Sequence, residues 1–89
     1  MVVRKHYFVS GRVQGVGFRY RAYYTANHFG LTGYAVNLDD GRVELEVQGE
    51  ASAVRDFLGH VEEGSFIHID GMECYDMEVD ESERTFYID

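Results

Sequence analysis

"RVELEVQ", residues 42–48, decides how this chain is read. Val43, Leu45 and Val47 point one way along an extended backbone, and Arg42, Glu44, Glu46 and Gln48 point the other. Side chains of a strand alternate between its faces, so this strand has one dry side and one wet side. A sheet built of such strands is covered on one face only, which favours largely antiparallel pairing. A parallel sheet, covered on both faces, calls for unbroken apolar runs instead.

Before it, "LTGYAVNL" (31–38) reads as a second strand, joined through "DDG" (39–41). Asp makes local side-chain bonds and Gly supplies positive φ, so the join is a turn. After it, "ASAVRDFLGHVEE" (51–63) changes period. Val54, Phe57, Leu58 and Val61 fall at i, i+3, i+4 and i+7, the stripe of an amphipathic helix. Glu50 lies near its positive end, and Gly64 is the expected stop. "FIHIDGMECYDMEV" (66–79) is extended, with an irregularity expected at Gly71, and "RTFYI" (84–88) is a short last strand. Towards the N-terminus, Phe18, Ala22, Ala26 and Phe29 recur at helical spacing, with Gly30 as the stop. "RKHYFVS" (4–10), rich in β-formers, is the first strand and ends at Gly11.

The order is β-α-β-β-α-β plus a short extra C-terminal strand. This predicts an α+β, ferredoxin-like sandwich: two helices on one face of a mostly antiparallel sheet. The 89 residues hold no proline, repeat or linker, so residues 1–89 read as a single domain.

Composition narrows the function. The net charge is −8. Residues 1–38 contain Arg4, Lys5, Arg12, Arg19 and Arg21 and no acid, whereas all the acids lie in residues 39–89. An acidic whole argues against nucleic-acid binding, which needs a broad basic face. A basic segment within it points to one local anion site. No apolar run reaches the ~18 residues of a membrane span, and "MVVRKHYF" lacks the apolar core of a signal peptide. Cys74 is the only cysteine, expected as an inert, partly buried strand residue, which fits a reducing, cytoplasmic setting. His6, His28, His60 and His68 lack ligand spacing, so no metal site is expected.

The anion site is placed by "GRVQGVGFR" (11–19), the link between the first strand and the first helix. Amide groups at a helix start have no intrahelical partners and carry partial positive charge. Gly15 and Gly17 let the backbone curl around an anion without a Cβ in the way. Arg19 adds a planar fork of donors suited to phosphate oxygens. Residues 14–19 therefore read as a phosphate cradle with a charged clamp. The Walker ending Gly-Lys-Ser/Thr is absent, and Tyr20 stands where a dinucleotide fingerprint needs its third glycine.

These residues resemble the signature loop of the acylphosphatases. "GYAVNLDDGRVELEVQGE" (33–50) is similar to that family's second signature, and the likeness runs along almost the whole chain. The resemblance implies a ferredoxin-like hydrolase that splits acyl phosphates into carboxylate and inorganic phosphate, with no metal or other cofactor. It puts the phosphate loop on Gln14, Gly15, Val16, Gly17 and Phe18, the catalytic arginine on Arg19 and the catalytic asparagine on Asn37. Arg12 and Arg21 add to the local field without being catalytic, and Tyr20, Tyr23 and Tyr24 carry no role. The implied partner is a small acyl phosphate, with no nucleic acid or membrane, and a monomer is expected. One alternative is a non-catalytic anion- or metabolite-binding regulatory domain of the same fold. Another is the corresponding segment of a larger carbamoyl-transferring maturation enzyme. The end of the chain at Asp89 favours a free-standing enzyme over that segment.

Overall fold

The alternation of the central strand becomes burial on one side of a sheet. In the computed structural model, which describes residues 1–89, that strand is β3 (Val43–Glu50), and Val43, Leu45 and Val47 are fully buried. It is flanked by β1 (Val2–Arg12) and β2 (Thr32–Asn37), both antiparallel to it. Tyr7 faces Leu45 and Lys5 faces Val47 on one side; Ala35 faces Leu45 on the other. The helices are α1 (Phe18–Phe29) and α2 (Ala51–Glu62), and the outer strands are β4 (His68–Met77) and β5 (Phe86–Ile88). Strand order is β4-β1-β3-β2-β5, with β5 parallel to β2 and every other pairing antiparallel. Each helix crosses over an inserted strand, the split arrangement expected from the element order.

Both helices bury their apolar sides against the same face. Phe18, Ala22 and Ala26 come from α1, and Val54, Phe57 and Val61 from α2. They meet Val9, Ala35, Leu45 and Phe86 of the sheet in one continuous core. Burial of side chains of this size stabilises by roughly 1.5–3 kcal/mol each.

Four expectations are corrected here. Phe29 is 39% exposed, because α1 ends there and its ring lies against His60 rather than in the core. Gly64 does not close α2 in a left-handed turn; the cap is Glu63 in the right-handed region. The last carbonyls of α2 accept from the Glu63 and Gly64 N–H groups and also from Arg21, whose Nε donates to Val61 and Nη2 to His60. Cys74 is exposed, because β4 is an edge strand lying away from both helices: α1 packs over β2 and β5, and α2 over β3 and β1. The irregularity expected at Gly71 is one residue away: pairing with β1 skips Asp70, between Ser10 and Gly11.

The other face of the sheet carries a polar network. Arg4, 7% exposed, donates to Glu46, Gln48 and Glu83. His6 lies between Glu46 and Glu44, and Tyr34 donates to the same two carboxylates. Burial opposes ionisation of Glu46, yet the bonds from His6 and Arg4 prevail and hold its carboxyl below the ordinary range. Burial, with the neighbouring Glu44 and Glu46, pushes the Tyr34 hydroxyl up.

Candidate active site

The route from β1 into α1 is set by two glycines. Gly15 has φ 72° and Gly17 φ 82°, while no non-glycine residue has positive φ. The backbone therefore alternates hand at residues 15, 16 and 17, which turns successive N–H groups toward one concavity. Gly17 caps α1 in the left-handed region, with no side chain bonding the first-turn amides. The first backbone bond of the helix runs from the Arg21 N–H to the Gly17 carbonyl. None of the N–H groups of residues 14–20 donates to the main chain. Unpaired amides at a helix start favour negative charge.

The loop is anchored on both sides. Phe18 is 1% exposed and locks the first turn of α1 into the core, while Val16 packs at the core's edge. The Gln14 side chain reaches the turn after β2, donating to the carbonyls of Leu38 at 2.7 Å and Arg42 at 2.9 Å. That turn is closed by the Leu38 N–H on the Arg42 carbonyl. Gln14 thereby joins the loop to the segment immediately following Asn37.

The joined segments line a pocket of about 200 Å³ formed by Val13, Gly15, Gly17, Phe18, Arg19, Tyr20 and Asn37. Of the residues singled out in the sequence, Gly15, Gly17, Phe18, Arg19 and Asn37 are brought together there. Gln14 and Val16 are not in its lining. Val13 lines it without having been singled out, and so does Tyr20, which was expected to carry no role; Tyr20 is 62% exposed, a large ring at the mouth. Arg19 makes no ion pair or hydrogen bond within the chain, whereas Arg4, Lys5, Arg42 and Arg55 are paired with carboxylates. Asn37 ends β2 opposite Val43, and its side chain is likewise without an internal partner.

A larger cleft of about 660 Å³ lies between the helices, lined by Arg21, Tyr24, His28, Phe29 and His60 among others. Its cation, Arg21, is committed to the carbonyls at the end of α2, so it offers an anion less than the smaller pocket does. No three His, Cys, Asp or Glu side chains gather in an arrangement fit for a metal ion. No helix is long and apolar enough to cross a membrane.

Two helices on one face of a sheet in this strand order define a ferredoxin-like α/β sandwich, here with an anion-suited pocket where β1 meets α1. The family model for acylphosphatase matches residues 5–88, and the chain belongs to the acylphosphatase family. It is 46% identical to an acylphosphatase of Clostridium perfringens over 86 residues, covering 96% of this chain and 97% of that protein. Among solved structures it is similar to the acylphosphatase of Bacillus subtilis, with a TM-score of 0.88 and 35% identity over 99% of this chain and 98% of that one. It is also similar, at a TM-score of 0.86 and 29% identity, to a region spanning 12% of full-length HypF, a structure described as phosphate- and nucleotide-bound.

Proposed function

We propose that this chain hydrolyses acyl phosphates to a carboxylate and inorganic phosphate by direct attack of water on phosphorus. The observation that carries this reading is the convergence of partner-free amides, a partner-free guanidinium and a partner-free carboxamide on one small pocket.

The mixed anhydride already has a carboxylate leaving group, so no acid need protonate it. What remains is to hold the phosphoryl group, spread its charge and aim a water in line. The main-chain N–H groups of Gln14, Gly15, Val16, Gly17 and Phe18 receive the phosphoryl oxygens. Arg19 adds a planar pair of donors that strengthens as charge shifts in the transition state. Asn37 orients the water, accepting from it through Oδ1 while Nδ2 donates. A neutral amide is not a base near pH 7, so the water's proton passes to a phosphoryl oxygen. A bond forms between the water oxygen and phosphorus, the bond from phosphorus to the bridging oxygen breaks, and the electron pair leaves with the carboxylate. No metal takes part, and the chain works as a monomer in the cytoplasm.

The reading is tested by turnover of benzoyl phosphate in ¹⁸O-labelled water with chelator present. The expected result is unchanged rate with chelator and label in phosphate alone. Label in benzoate, or a rate restored only by added metal, contradicts it. A non-catalytic anion-binding domain would bind phosphate and show no turnover at all.

A further inference from the structure

The loop amides, Arg19 and Asn37 account for one end of the substrate and leave the other end without a partner. The pocket they line is about 200 Å³. That is below the roughly 300–1,000 Å³ of pockets that enclose a drug-sized ligand. With the phosphoryl group seated inside, any sizeable acyl group projects through the mouth.

Three apolar side chains line this pocket: Val13, Phe18 and Tyr20. Val13 and Phe18 are buried in the core and offer a ligand almost no surface. Tyr20 is exposed, so its ring is the apolar surface that the pocket presents. Nothing inside the chain employs that ring. Its hydroxyl makes no hydrogen bond within the chain, whereas those of Tyr34 and Tyr75 do. It pairs with no other aromatic ring, whereas Tyr23 and Tyr24 of the same helix lie edge to face with 5.3 Å between centroids.

The place of Tyr20 in α1 turns the ring toward the loop. It is the third residue of the helix. Long side chains on a helix point back toward its N-terminus and cover the turn before their own Cα. For Tyr20 that turn is the one holding Gly17. Gly15 and Gly17 carry no side chain, and a Cβ at either would meet nothing within 4 Å, so the space about them is open.

We infer that Tyr20 sets the choice of acyl group: its ring is the platform on which a flat, aromatic acyl body lies while the phosphoryl group sits in the loop. Two aromatic rings stack with their faces offset, a contact that a saturated ring of the same size does not reproduce. This deepens the proposed hydrolysis of acyl phosphates and rests on it.

The test measures kcat and KM for benzoyl, cyclohexanecarbonyl and acetyl phosphates in the wild type, Tyr20→Ala, Tyr20→Phe and Tyr24→Ala. The three substrates differ in intrinsic reactivity, so each variant is read as a change in the ratio of kcat/KM between a ring substrate and acetyl phosphate. Tyr20→Ala is expected to lower the benzoyl-to-acetyl ratio about tenfold, through KM for benzoyl phosphate. The cyclohexanecarbonyl-to-acetyl ratio should fall only about threefold. Tyr20→Phe retains the ring and both ratios. Tyr24→Ala, which removes an exposed ring that lines the cleft between the helices instead, also retains them. An unchanged benzoyl-to-acetyl ratio in Tyr20→Ala, its loss in Tyr20→Phe, or an equal fall for the flat and the saturated ring overturns the platform, while turnover of acetyl phosphate by the wild type still supports the hydrolysis. Absence of wild-type turnover with all three substrates overturns the hydrolysis and the platform together.

Discussion

Gln14 Nε2 donates to the Leu38 carbonyl oxygen at 2.7 Å, tying the loop ahead of α1 to the residue that follows Asn37. The proposed cradle follows β1, whereas Asn37, proposed to direct the water, ends β2. A single carboxamide, which also donates to Arg42, holds them in register. Gln14→Met keeps the length and removes both donations. The two carbonyls turn to water, so stability should fall by only about 1 kcal/mol. The catalytic geometry should suffer more, with kcat for benzoyl phosphate dropping about tenfold or more. Steady-state kinetics beside urea unfolding separates the two. A variant with wild-type kcat would show that the register is held elsewhere.

Arg19 is expected to act mainly in the transition state. Arg19→Ala should cost at least ~3 kcal/mol there, a hundredfold or more in rate. Arg19→Lys should recover little, because a single ammonium cannot match two phosphoryl oxygens in plane. Stability should stay within about 0.5 kcal/mol, since the side chain has no internal partner to lose. Activity of Arg19→Ala within tenfold of wild type contradicts its assigned role.

Gly17 separates backbone conformation from space. A Cβ there meets nothing within 4 Å, but φ is 82°. Gly17→Ala should therefore destabilise by about 1–2 kcal/mol through strain alone. If the loop relaxes, the amides turn away and inhibition by free phosphate should weaken. Crystals of the variant with an unaltered loop and full phosphate affinity would show that the left-handed residue is not required.

Acid should weaken the polar face of the sheet. The Glu46 carboxyl is held below its ordinary value of 4.5, because His6 and Arg4 outweigh its burial. A carboxylate with a lowered folded pKa contributes stability in full above the unfolded value. That contribution is lost as pH falls through the lower, folded value. Glu46→Gln should be about 2 kcal/mol less stable at pH 7, and the gap should close as pH drops below about 4.5. Urea unfolding at several pH values gives the difference. A gap that stays constant down to pH 3 rules out this linkage.

What could be read from residues alone follows from the range of the interactions. β3 and α2 have clean periods, so both elements and their buried faces were legible. The end of α2 was legible only in part: Gly64 is a local stop signal and its N–H does donate to Val61, but the second donations, from Arg21, come from a residue distant in sequence. Exposure of Cys74 follows from β4 lying at the sheet's edge, which no pattern within the strand reveals. Within the pocket, the grouping of Gly15, Gly17 and Arg19 was legible because the three are near neighbours in the sequence. Asn37 was reached through resemblance, and alone it reads as a turn residue. The donations of Gln14 span 24 and 28 residues to main-chain groups, which leave no mark on side-chain pattern. Tyr20 lies two residues beyond Phe18 on an exposed turn of α1, and only the shape of the pocket draws it in.

The central claim divides labour: amides and Arg19 bind the phosphoryl group, and Asn37 aims the water. Asn37→Ala tests it most directly, with kcat for benzoyl phosphate and the competitive inhibition constant of free phosphate measured on the same protein. The account predicts kcat lowered a hundredfold or more with phosphate inhibition within about threefold of wild type. Near-normal turnover, or phosphate affinity falling in step with kcat, contradicts it.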